Sequence, residues 1–68
     1  MIITDAGHNI KKAREFRGYS QEWMADQLNM GQSNYSKLEQ KKNKIPLDQL
    51  MKIAEVLEMN LKTLLTFG

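Results

Sequence analysis

The sequence predicts an all-α domain, a compact bundle of five short helices. Three observations predict it. Apolar residues recur at helical spacing along nearly the whole chain, strand-like alternation is absent, and only one proline and four glycines interrupt 68 residues. No internal repeat or low-complexity tract breaks the pattern.

The first helical segment runs from about Gly7 to Arg17, with Ile10, Ala13, Arg14 and Phe16 at helical spacing. Asp5 lies upstream as a candidate cap, and Gly18 stops the segment just after basic Arg17. The second opens at Ser20, a good N-cap residue, with Glu22 in the first turn where negative charge suits the helix dipole. Met24, Ala25 and Leu28 form its inward stripe, and Asn29-Met30-Gly31 breaks the helix. The third runs from Gln32 to about Gln40, with Tyr35, Leu38 and Glu39 on one face. Residues 41–45 read as a polar, basic loop. Pro46 suits the first turn of the fourth segment, because its missing N–H would be unpaired there anyway. Leu47, Leu50, Ile53, Ala54 and Leu57 give that segment the clearest amphipathic pattern in the chain. Asn60 can cap a short fifth segment holding Leu61, Leu64 and Leu65.

Length and composition narrow the function. Residues 1–68 make one small domain, and a chain of this size buries only about 60% of its unfolded surface, leaving little room for a deep catalytic cleft. There is no cysteine, which removes disulfides, thiolate metal sites and thiol nucleophiles together. That suits a reducing cytoplasm, the expected location. No apolar run approaches the roughly 18 residues of a membrane helix, so no membrane partner is expected. Met-Ile-Ile-Thr-Asp at the start does not read as a secretory signal. No Ser/His/Asp order, paired-carboxylate motif or phosphate-cradling glycine loop is present, so no enzyme activity, cofactor or metal is expected. His8 stands alone and reads as a surface residue, and the five methionines read as core filler.

Net charge is only +2, but its distribution is uneven. Lys41, Lys42 and Lys44 cluster, as do Lys11, Lys12, Arg14 and Arg17. On charge alone such clusters read as solvated faces.

Ser20 to Glu39 carries the functional signal: two short helices joined by a three-residue turn, the helix-turn-helix layout. Ala25 supplies a small residue for a close helix crossing. Asn29 stands where the turn needs a left-handed residue, a conformation Asn tolerates second only to Gly. Apolar Met30 follows and is expected to point inward. With Tyr35 and Leu38 inward, a step of about 100° per residue puts Ser33 and Lys37 on the opposite side. Ser36 and Gln40 flank them, Gln32 projects from the N-terminal end, and no acid shares the face. Gln pairs bidentately with adenine, Lys donates to guanine O6 and N7, and Ser serves either base.

The run NIKKAREFRGYSQEWMADQLNMGQSNYSKLEQ, followed by LDQLMKIAEVL, resembles the phage-repressor and Cro-type (XRE) helix-turn-helix family. The resemblance spans about Ile10 to Leu65. It rests on the joint spacing of Arg14, Gly18, Ser20-Gln21-Glu22, Met24-Ala25, Leu28, Leu38-Glu39 and the fourth-segment stripe. It implies a lambda-repressor-like five-helix bundle that binds double-stranded operator DNA as a transcriptional repressor or regulator, usually as a homodimer on a palindrome. Gln32, Ser33 and Lys37 match the family's base-reading positions, with Ser36 beside them. Gln21 matches its phosphate-contacting glutamine, which also braces the recognition helix. Asn34 and the loop residues Lys41, Lys42, Asn43 and Lys44 are the other expected phosphate contacts.

The family pattern also pairs Arg14 with Glu39, against the plain alternative of two solvated charges. Leu61, Leu64, Leu65 and Phe67 are implied dimer contacts, against the alternative that they close the monomer's core. Tyr35 is expected in the core, its hydroxyl either reaching a phosphate or simply packing, and Trp23 is expected to pack. Three departures stand out: Asn29 for the usual turn glycine, Gly31 where a Ser or Thr cap is common, and Ile45-Pro46 at the entry to the fourth segment. Two rival readings remain. One is an antitoxin that binds DNA and a toxin protein; the other is a protein-interaction module that kept the fold without DNA binding. The ending Thr66-Phe67-Gly68 reads as that of a fragment of a longer regulator.

Overall fold

The computed structural model describes residues 2–4, 6–40 and 44–67. Among them are five helices, α1 (Gly7–Arg17), α2 (Gln21–Gln27), α3 (Gln32–Leu38), α4 (Leu47–Val56) and α5 (Leu61–Leu65), and two short strands, β1 (Ile2–Thr4) and β2 (Lys44–Pro46). The all-α expectation holds for the bundle.

Local chemistry accounts for four of the helix ends. Gly18 closes α1 at φ 78°, and its N–H donates to the Glu15 carbonyl. Ser20 caps α2 by accepting from the Trp23 N–H at 3.0 Å. Replacing Ser20 with alanine should therefore cost about 1 kcal/mol, read as a lower urea midpoint at unchanged slope. Asn29 takes the left-handed turn conformation at φ 58°, and the Met30 N–H closes onto the Ala25 carbonyl. Met30 is half-buried against the core. Asn60 caps α5 by accepting from the Thr63 N–H at 2.7 Å.

Several boundaries differ from the sequence reading. α3 ends at Leu38, because Glu39 and Gln40 donate back three residues, to Ser36 and Lys37, and tighten the last turn. Pro46 is the N-cap of α4 and lies one residue before its first turn. The N-cap of α1 is Ala6, and the expected cap Asp5 lies outside the described residues.

The ribbon is an addition to the predicted bundle. β1 and β2 pair antiparallel, Ile2 opposite Pro46, Ile3 opposite Ile45 and Thr4 opposite Lys44. Lys44 and Ile45, read as loop, thus lie in a strand. Ile45 is fully buried, and Pro46, which has no N–H for a ladder, ends its strand.

One core joins all five helices. Ile10 and Ala13 from α1 meet Met24 and Ala25 from α2, Tyr35 and Leu38 from α3, the Leu50, Ile53 and Ala54 stripe of α4, and Leu64 from α5. Leu64 is wholly inside, so it offers nothing to a second subunit; this corrects its assignment to a dimer surface. Leu61, Leu65 and Phe67 are half-buried against the same core. Two further ties hold the helices together. Asn9 Nδ2 donates to the carbonyls of Leu65 and Phe67. Arg17 donates to the carbonyls of Leu57 at 2.8 Å and Glu58 at 3.0 Å, satisfying the open end of α4. Trp23 stays partly exposed, its ring tilted onto Tyr19 with centroids 4.1 Å apart.

Candidate nucleic-acid interface

The outward side of α3 is polar because its inward side is committed to the core by Tyr35 and Leu38. Gln32, Ser33, Asn34, Lys37 and Gln40 are exposed, and Ser36 is half-buried at the edge of that face. The one acid at the end of this helix, Glu39, is turned inward and only 8% exposed. The structure thus brings the predicted base-reading residues together on one side of one helix. Lys44 is exposed at the start of β2. The other loop positions, Lys41, Lys42 and Asn43, lie outside the described residues.

The helix is held at its C-terminal end by a polar knot. Arg14 Nε donates to Glu39 Oε2 at 2.7 Å and Arg14 Nη2 to Oε1 at 3.2 Å, a bidentate pair. The third guanidinium nitrogen, Nη1, donates to the Tyr19 carbonyl at 2.8 Å. Gln21 Nε2 donates to Glu39 Oε1 at 3.1 Å, so the glutamine at the start of α2 braces the end of α3. A carboxylate only accepts, so it fixes which end of the Gln21 amide faces it. One residue of α1, one of α2 and the C-cap of α3 share this contact.

Burial alone would push the Glu39 carboxyl up. The Arg14 guanidinium, the nearby Tyr35 hydroxyl and the Gln21 amide outweigh it and hold the group below its ordinary 4.5. The Glu39 carboxylate in turn raises Arg14 above its usual value, against desolvation. A carboxyl depressed on folding contributes stability that is complete above its unfolded value and lost as pH falls through the lower folded one. The melting temperature should therefore drop as pH falls below about 4.5, and the Glu39→Gln variant should drop less over the same range.

Tyr35 is fully buried, and among the described residues no group meets its hydroxyl with hydrogen-bond geometry. It cannot reach a phosphate, which leaves packing as its role. Burial first, and then the neighbouring Glu39 carboxylate, push the hydroxyl's pKa far up, so it stays protonated. Nothing in residue spacing reports that the Tyr35 hydroxyl lies beside this pair.

Among the described residues no helix is long and apolar enough to cross a membrane. The profile of the family described as a helix-turn-helix domain matches residues 7–66. Similar solved structures include the following three. The restriction-modification controller protein C.AhdI from Aeromonas hydrophila is 23% identical and shares the fold at a TM-score of 0.78, over 90% of this chain and 92% of its own. A hypothetical transcription factor, NHTF from Neisseria, is 29% identical over 91% of this chain and 70% of its own, with a TM-score of 0.78. SinR, a master regulator for biofilm formation solved in complex with DNA, is 30% identical over 88% of this chain and 97% of its own, with a TM-score of 0.70. No curated protein matches the chain at a significant level.

Proposed function

The chain belongs to the helix-turn-helix domain family, and from that membership we propose that it binds double-stranded DNA and regulates transcription, with α3 lying in the major groove. The observation that carries the reading is the exposed, acid-free side of α3 with Glu39 turned away from it. The likeness to SinR, solved on DNA, supports it. The family and fold are those of DNA-binding regulators rather than of enzymes.

In this reading Gln32, Ser33 and Lys37 meet base edges, with Ser36 at their margin. Gln21, Asn34 and Lys44 meet phosphates, joined by Lys41, Lys42 and Asn43 of the basic segment. One such domain touches few bases, so two copies on half-sites about one helical turn apart supply the specificity. Leu61, Leu65 and Phe67 keep some exposure for that contact.

A filter-binding titration against generic duplex at two salt concentrations tests the proposal. Retention should fall steeply with salt, each neutralised phosphate adding about 0.9 to the logarithmic slope. Negligible, salt-insensitive retention would favour a module that keeps the fold for protein contacts alone.

A further inference from the structure

Gly7 opens α1 at the place where that helix meets the end of α3. It is buried, and a Cβ at this position would lie 2.4 Å from the Leu38 carbonyl oxygen and 2.7 and 2.8 Å from the carbonyl carbon and oxygen of Glu39. All three are main-chain atoms of the last α3 residue and its C-cap. They cannot swing aside as the tip of a side chain would. Any residue with a Cβ must shift the end of α3, the start of α1, or both.

Helix formation by itself does not explain a glycine here. Glycine is a poor helix former and alanine the best, and α1 already starts without a side-chain cap or an acid in its first turn. The glycine is explained by the close approach. Its neighbour in that approach, Glu39, is also held through its carboxylate by Arg14, two turns further along α1. α1 therefore meets Glu39 at two places, by the close approach of its backbone at Gly7 and by the bonded side chain of Arg14.

We propose that Gly7 is a positioning residue for the recognition helix: its missing side chain sets how closely α3 seats on α1, and so the tilt at which Gln32, Ser33 and Lys37 are presented. The functional half of this rests on the DNA-binding reading above.

The test compares the full chain, Gly7→Ala and the core-trimming control Ile53→Val on two probes. One is the duplex that the wild type selects from a random pool; the other is generic duplex. Gly7→Ala should stay helical, move the amide resonances of residues 36–40, and bind the selected duplex at least about tenfold more weakly, while generic binding changes less than about twofold. Ile53→Val should lower the melting temperature yet leave the ratio of selected to generic binding unchanged. An unaltered ratio in Gly7→Ala, or an equal loss in Ile53→Val, overturns the proposal. If Gly7→Ala does not fold in buffer, the same ratio is measured in a stabilising osmolyte. A chain that stays unfolded there also overturns it, because the glycine is then a requirement of the fold and not a setting of α3. A wild type that selects no duplex refutes the DNA-binding reading, while the resonances of residues 36–40 still decide the seating.

Discussion

Replacing Arg14 with alanine should lower the melting temperature of this domain by more than about 10 °C. The two side chains of the Arg14–Glu39 pair are 12% and 3% exposed, so neither charge is well solvated. Removing the guanidinium leaves a buried carboxylate with the Gln21 amide and the neighbouring Tyr35 hydroxyl, neither of them charged. Stranding one member of a buried pair costs roughly 3–5 kcal/mol, comparable to the whole stability of a domain this small. At 4–8 °C for each kcal/mol in a domain of about this length, the shift is large by any thermal probe. Replacing both members with apolar residues (Arg14→Met with Glu39→Leu) should cost less than Arg14→Ala alone, since no charge is then left unpaired. A melt unchanged by Arg14→Ala would mean that the pair is solvated and does not hold α3.

Lys37→Ala and Lys42→Ala should weaken DNA binding in different ways. Lys37 is exposed in the last turn of α3, on the side assigned to base edges. Its loss should cost about 1–3 kcal/mol on the preferred duplex and relax the preference at one base position. Lys42 belongs to the basic segment assigned to phosphates. Its loss should weaken all sequences alike and flatten the salt slope by about one unit. Competition titrations with a set of single-base variants, repeated at several salt concentrations, separate the two patterns. Identical behaviour of the two variants would refute the division between reading and anchoring.

Much of this arrangement is legible in the sequence because it is local. Ser20, Asn29 and Asn60 act within three residues of themselves, so their capping and turn roles follow from residue type and position. The Arg14–Glu39 pair is not local, and only the family resemblance implies it. The rest depends on residues far apart in the chain. Three-residue strands are too short to show alternation, and β1 finds its partner about forty positions on. Arg17 reads as a favourable charge at the end of α1, yet its donors serve the end of α4. Gly7 reads as a helix start, and only the approach of Leu38 and Glu39 shows why a side chain is excluded. For the leucines of α5, one periodic stripe fits both a dimer contact and the monomer's core. Burial decides between them for Leu64, which is core.

The bonds from Asn9 to the carbonyls of Leu65 and Phe67 bear on how the domain is made. Helical bundles of this size ordinarily fold fast because their contacts are short-range. Here α1 is stitched to α5 and the residues just after it, across 56 and 58 positions. During synthesis α1 must therefore wait for these bonds, with Ile10 uncovered, until α5 and Phe67 have left the ribosome. Chaperone occupancy on the nascent polypeptide should persist to that point and end once Phe67 has emerged.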